Sequence, residues 1–472
     1  MTWSIDKECF ARLLAFVLII IGLLFLSFFV ASEALYTYLC IVASIFIIGC
    51  VLVFRRSLDL FEPLSWFLLM SSFFYVFSIL ICIIGFDFLY HDNFAVRNDR
   101  YAVLLCAVVV FTMGVVSFIF GDYLAESFTF KFERKELVHC LGKDSLLIVG
   151  GGLVSLGVLN FFVNSYAYNS SDVFMLLKDF GARDHRIHEG NFYSTFGYNF
   201  LIIGLFFLML RRVTHFRSLG FFYKAIFLIC LVILLSTGRI WYTLSLVFVF
   251  MALAHFSGMR IRLRTMFFYC VVLGCAVLII YFARLYSNLV YIDSSDALGG
   301  SFVDGFATRI VEFIFGRSNV PSVPILMEVI DYYSTTQDFV AGKTLVYWLT
   351  YFAPGFDVTF LGHEIKERFY PGRPGGFPPT IFGELYANGG FLFVIMASFY
   401  FGFLIKMFYI FVGQRNNFLL YFIYSAMLFR FVFMLPKLES SALGSAVWLF
   451  LPTVAACFFL HIFLLGLRGK DV

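Results

Sequence analysis

Charge is what this sequence has least of. Of 472 residues only 14% are charged, against about 25% in a typical soluble domain. Hydrophobic residues make up 61%, and the mean hydropathy is +0.92, which excludes an ordinary soluble globular protein. No Lys/Arg run is present, and a formal net charge of +4 is too weak to attract nucleic acid. The ten cysteines are scattered, with no CxxC or Cys/His metal spacing and none between residues 284 and 384. Neither disulfides nor a zinc site is expected from them. The acidic run Asp293-Ser294-Ser295-Asp296 has no partner histidine and no DxD spacing, so it predicts no metal site. No internal repeat supports an inverted-repeat transporter. The cores of the apolar runs hold almost no acidic residues, whereas ion-coupled pumps carry ionisable groups there.

What is abundant is apolar length and aromatic character, with 67 Phe and 26 Tyr, the latter suited to interfacial belts. Crossing a hydrocarbon core of ~30 Å takes ~20 mostly apolar helical residues. Runs of that kind cover 13–31, 35–54, 64–86, 101–120, 145–165, 191–210, 218–236, 240–257, 265–283, 385–411, 417–435 and 442–466. The expectation is an all-α, polytopic membrane protein with about twelve spans. Lys7 and Arg12 precede the first run, and Ser32-Glu33-Ala34 after it is a weak cleavage pattern. The run is longer than a usual signal-peptide core, and the topology needs it as a retained span. With the N-terminus placed inside, the inner segments hold nineteen Lys/Arg and the short outer loops seven. That bias follows the positive-inside rule and puts both termini in the cytoplasm.

The expected organisation is nine spans over 1–283, a large outer loop over 284–384 and three spans over 385–472. The loop carries seven more cations, but long loops escape the charge rule. A loop of this length is functional or disordered, and its content of Phe, Tyr, Val and Ile favours order. Phe302, Val303, Phe306, Ile310, Phe313 and Ile314 recur at helical spacing, predicting an amphipathic helix over 301–316. A second helix is expected over 324–333. The apolar stretch 345–361 is broken by Pro354-Gly355 and reads as an interfacial or re-entrant piece.

Arginines cluster at the outer ends of the spans. Arg239 sits in the tight turn Ser236-Thr237-Gly238-Arg239, Arg284 follows the ninth span, and Arg430 lies inside the eleventh, six residues before Pro436. Each either anchors and snorkels at the interface or binds an anion. Guanidinium groups match phosphate oxygens bidentately, so such a set suits a pyrophosphate at the membrane surface. The loop 166–190, with Lys178, Arg183, Arg186, His185 and His188, is a solvated loop or part of a substrate site. Glu384 opens the tenth span within Gly383-Glu384-Leu385-Tyr386, where a carboxylate either complements the helix dipole or serves as a catalytic or acceptor-binding group. His363, in Gly362-His363-Glu364, is a surface histidine or a second candidate base.

Three patches, LLSTGR at 234–239, GKTLVYWLTYFAPGF at 342–356 and PPTIFGELYANGG at 378–390, give the chain a further character. With the many spans and the large loop before the last three of them, the sequence resembles the bacterial oligosaccharide repeat-unit polymerases, the Wzy-type O-antigen or capsule polymerases. The resemblance implies a GT-C-like glycosyltransferase of the bacterial inner membrane. It would transfer a growing glycan from undecaprenyl pyrophosphate to the next lipid-linked repeat unit at the periplasmic face, without metal or cofactor. Its implied partners are that lipid-linked oligosaccharide, membrane lipid and a chain-length regulator protein. Carried over by position, Arg239 is the turn arginine and Glu384 the acidic residue of the GE-x-Y block. Arg284, Arg430, Arg309 and Arg373 complete the expected pyrophosphate-binding set. His363 aligns with no family histidine, which leaves the base open between it and Glu384. The rivals are an O-antigen ligase, which the same features fit almost as well, and a lipid-linked oligosaccharide flippase, which would need short loops and charged span linings. A two-span chain-length regulator does not fit.

Overall fold

A computed structural model describes residues 61–71, 74, 75, 78, 100–128, 143–168, 197–210, 221–236, 240–256, 322–336, 338–352, 360–369, 378–414, 417–437, 439, 440, 443, 444, 446, 447, 449 and 451–456. Among these, 89% are helical and none is in a strand. The helices are α1 (Pro63–Ser71), α2 (Arg100–Glu126), α3 (Lys143–Tyr168), α4 (Asn199–Leu210), α5 (Phe221–Ser236) and α6 (Ile240–Phe256). They continue with α7 (Ser322–Thr336), a 3-10 helix (Thr344–Phe352), α8 (Leu361–Phe369), α9 (Thr380–Gln414) and α10 (Phe418–Met427), which runs into a π-helical turn at Leu428–Val432. Ala102–Glu126, Leu146–Tyr166 and Thr380–Gln414 are long and apolar enough to cross a membrane. The expected spans 13–31, 35–54 and 265–283 and the expected helix 301–316 lie outside the described residues.

The chain divides into two compact units. In the first, α1, α2 and α9 meet around an aromatic core. Phe67 stacks on Phe118 with centroids 3.8 Å apart and Tyr75 on Phe111 at 3.9 Å, while Phe382 of α9 meets Phe111 edge-on at 5.6 Å. The aromatic bulk fits because the helices approach through glycine. A Cβ on Gly121 of α2 would collide with the carbonyl oxygen of Phe399, and one on Gly402 of α9 with that of Phe118. Without a hydrophobic drive between helices in lipid, such close backbone approach supplies much of the association. The outward face of α9 is an apolar stripe, Leu392, Met396, Tyr400 and Leu404, all exposed at four-residue spacing.

Helix α9 is two helices in sequence. Gly389 and Gly390 have non-helical backbone angles, and Gly390, at φ 66° and ψ −158°, occupies a region open to glycine and strained for other residues. The amides of Val340 and Ala341 donate to the carbonyls of Ala387 and Asn388 at 2.9 and 3.1 Å, so the break is satisfied by protein. The expected loop helix is present as α7, and it packs its Ile325, Val329 and Tyr333 against Leu361 and Ile365 of α8 and Ala387 of α9. Sequence reading did not anticipate α8. Its two buried apolar positions, Leu361 and Ile365, are too few to give a periodic apolar signal.

In the second unit, α3 and α4 also pack through small residues. A Cβ on Gly150 would meet Gly204 O at 2.9 Å, and one on Gly204 would meet Gly150 O at 2.8 Å. Every residue from Leu201 to Met209 is buried, whereas α3 turns Ile148, Leu156, Leu159 and Val163 outward. Within the same unit Phe422 of α10 lies 4.2 Å from Phe206, and Phe429 5.1 Å from Phe248.

Replacing Gly402 by Val is expected to abolish monodisperse protein in detergent. Gly413→Ala, where a Cβ meets nothing within 4 Å, should leave the elution profile unchanged. Size-exclusion chromatography of the two variants checks this.

Candidate functional site

Two polar clusters occupy the two ends of α9. At the first, Pro378-Pro379 rigidify the entry and Thr380 adopts a positive φ of 66°. Its hydroxyl accepts from the Gly383 amide at 3.1 Å, and the Ile381 amide donates to Leu435 O at 3.3 Å. Thr380 therefore caps this helix. The expectation that Glu384 opens it is corrected: the helix begins four residues earlier, and Glu384 lies one turn inside. Its carboxylate reaches across to the segment after α10. Oε2 accepts from the Ser440 amide at 2.5 Å and Oε1 from the Ser440 hydroxyl at 2.7 Å, with the Thr344 hydroxyl beside it. The side chain of Asn388 donates to Thr344 Oγ1 at 2.5 Å and to Glu384 O at 2.7 Å. Glu384 is 1% exposed, so in this conformation the carboxylate is a clasp whose oxygens are both in use.

His363 is exposed in the first turn of α8, and among the described residues no hydrogen bond or ion pair joins it to Glu384. Its neighbour Gly362, however, donates its amide to Glu439 Oε2 at 3.3 Å, one residue before Ser440. Thus α8, the 3-10 helix, the start of α9 and residues 433–440 are tied into one cluster. Arg430 lies in the π-helical turn and is 9% exposed, which places it in the interior rather than snorkelling into lipid. Arg239, Arg284, Arg309 and Arg373 lie outside the described residues, as does the loop 169–196.

The second cluster was not expected. Lys406, 4% exposed at its side chain, is ion-paired with Glu62, with Glu126 at 2.6 Å and with Asp122 at 3.7 Å. The close approach at Gly121 and Gly402 builds it, because Asp122 follows one glycine and Lys406 lies one helical turn beyond the other. The three carboxylate oxygens lie within 4.8 Å of one another, a grouping that could hold a cation, but the Lys406 ammonium is among them and already supplies the positive charge. The signal available in the sequence was two acidic residues four apart, at the same expected depth as a lysine within another span.

No family model, curated protein or solved structure matches the chain.

Removing one partner of a buried ion cluster costs about 3–5 kcal/mol, because the others are left uncompensated. Lys406→Met should therefore lower the thermal unfolding midpoint in detergent sharply. Glu126→Gln should lower it little, since Glu126 is half exposed and two carboxylates remain. A midpoint unchanged in Lys406→Met would show that the cluster is not structural.

Proposed function

We propose that this protein is a multi-pass membrane glycosyltransferase of the oligosaccharide repeat-unit polymerase kind. It extends a glycan by transferring it from a polyprenyl pyrophosphate to the next lipid-linked repeat unit. The observation that carries the reading is convergence. Two of the three patches behind the resemblance, 342–356 and 378–390, meet in space through Asn388 and Thr344 at 2.5 Å and through Ala341 and Asn388 at 3.1 Å. Segments of the expected loop 284–384 thereby pack on the start of α9, which supports a site for a lipid-borne substrate. The two polar clusters lie on either side of the break at Gly389–Gly390, and the unbroken helix from Phe391 to Lys406 alone rises about 23 Å at 1.5 Å per residue, a large part of the hydrocarbon thickness. That separation supports opposite membrane faces, with Lys406 on the cytoplasmic side and Glu384 on the outer side of a twelve-span, GT-C-like fold in a bacterial inner membrane.

The chemistry is displacement at the anomeric carbon. The bond from that carbon to the pyrophosphate oxygen breaks as the bond to the acceptor oxygen forms. The acceptor proton passes to a base, and the electron pair leaves with the pyrophosphate. Cations aimed at that developing charge do most of the catalytic work, the role assigned to Arg239, Arg284 and Arg430, with Arg309 and Arg373 in the loop. For Glu384 to act as base, Ser440 must first release one carboxylate oxygen. His363, which is exposed, needs no such release. A chain-length regulator protein is the expected partner.

A flippase is the second reading, favoured by the Lys406 cluster, since ionisable groups within spans are coupling machinery in transporters. A ligase shares the chemistry of the first reading. Deletion of the gene followed by gel analysis of surface polysaccharide separates them. Lipid A capped with a single repeat is expected for the polymerase, loss of all capped lipid A for a ligase, and cytoplasmic accumulation of lipid-linked units for a flippase. In the polymerase, Arg239→Ala abolishes long-chain glycan while the protein still inserts, and normal chain lengths in that variant would remove Arg239 from the mechanism.

A further inference from the structure

The segment that clasps Glu384 carries a lysine that no carboxylate among the described residues neutralises. Residues 433–440 leave the π-helical turn and are pinned at three points: Leu435 O by the Ile381 amide, Glu439 by the Gly362 amide, and Ser440 by Glu384. Between the pins sits Lys437, its own amide donating to Met434 O at 2.9 Å. The residue is partly buried, and its ammonium lies 5.5 Å from the centroid of the Phe74 ring. A ring face attracts a cation only weakly compared with an anion. Among the described residues no carboxylate pairs with it, and Glu384 and Glu439 are turned to other donors. Desolvation alone acts on the group, pushing its pKa down to about 8, which leaves it mostly protonated at neutral pH. The ring beneath it belongs to a short π-helical stretch at Phe74 and Tyr75, and Lys437 follows another at Leu428–Val432. Such π turns are rare and frequent at functional sites.

We infer that Lys437 is an anion-binding residue whose ligand is the diphosphate of a lipid carrier, held at the end of α10 beside the Glu384–Ser440 clasp. The choice of ligand follows from the surroundings. A compact ammonium with three donors suits a phosphoryl oxygen. Its position just beyond a helix of membrane character puts the phosphate at headgroup depth, and its place next to the clasp selects a substrate phosphate over a bulk phospholipid. This assignment rests on the polyprenyl-pyrophosphate reading above and adds Lys437 to the arginines as the cation fixed by the clasp itself.

The test is competitive acylation of the full-length protein in nanodiscs at pH 8, read residue by residue by peptide mass spectrometry. Lys437 is about half neutral there, whereas an ordinary lysine with a pKa of about 10.4 is under about 1% neutral, so Lys437 reacts early. Farnesyl diphosphate should slow its acylation about tenfold, the loss expected when a charge-assisted contact is occupied. Farnesol, and exchange of phosphatidylcholine for phosphatidylglycerol, should leave the rate unchanged. Equal protection by phosphatidylglycerol would make this a general headgroup contact and overturn the assignment, and so would an absence of protection by farnesyl diphosphate. Lys437→Arg should keep farnesyl diphosphate binding and Lys437→Met should lose it, and retention in the latter overturns the assignment. None of these readouts needs polymer synthesis, so a failed deletion phenotype and a failed protection assay are distinguishable.

Discussion

A helix broken beside hydrocarbon must find partners for the carbonyls it frees, because lipid supplies none. In α9 the break falls at Gly389–Gly390, and the loop 338–343 answers it with the amides of Val340 and Ala341. Much of the polar architecture follows from that requirement. Once Val340 and Ala341 are fixed, Thr344 begins its 3-10 helix against Asn388, and Asn388 in turn holds Thr344 beside Glu384. Glu384 then fixes Ser440, and Ser440 fixes the course of the chain between α10 and the last helical segment. The glycines are thus used in two opposed ways. Gly390 permits a conformation that other residues resist, and Gly121 and Gly402 remove side chains so that two backbones can touch.

That contact explains why charge is tolerated at the other end of α9. An ammonium in a low-dielectric interior is stable only with good partners, and the glycine crossing brings α2 close enough for Asp122 and Glu126 to supply them, with Glu62 arriving just before α1. The cluster ties three helices at one end of the unit, while aromatic stacking of Phe67, Tyr75, Phe111 and Phe118 fills the middle. At the other end the tie is Glu384 to Ser440. Charged and polar contacts close both ends, and apolar contacts occupy the depth between them.

Hydropathy made the helices of the described spans legible, since a run of twenty apolar residues has few other stable solutions. The helix α7 was marked instead by Pro321 and Pro324, prolines suited to a helix start. The short helix α8 gave no such signal, because nine residues with two buried apolar side chains do not establish a period. The start of α9 was displaced by one turn because Thr380 caps from a positive φ, a conformation the sequence gives little reason to expect. Glu384 was recognised as a site residue, but its partners were not: Thr344 and Ser440 lie 40 and 56 residues away in the chain. The Lys406 cluster is less local still, joining residues 344 positions apart.

The distribution of charge at the Glu384 end has a consequence for catalysis. A carboxylate with both oxygens engaged by Ser440 is a poor base as it stands but a good anchor, and what it anchors is the segment that bears Lys437. Desolvation raises the energy of the Lys437 ammonium, and a phosphate oxygen bound there, as proposed, would offset part of that cost. The same segment is also tied to α8, through Glu439 and Gly362. On that proposal, a phosphate that drew Lys437 toward itself would pull on a chain held at Leu435, Glu439 and Ser440. In the proposed mechanism, the clasp would thereby link binding of the leaving group to release of Glu384 as base.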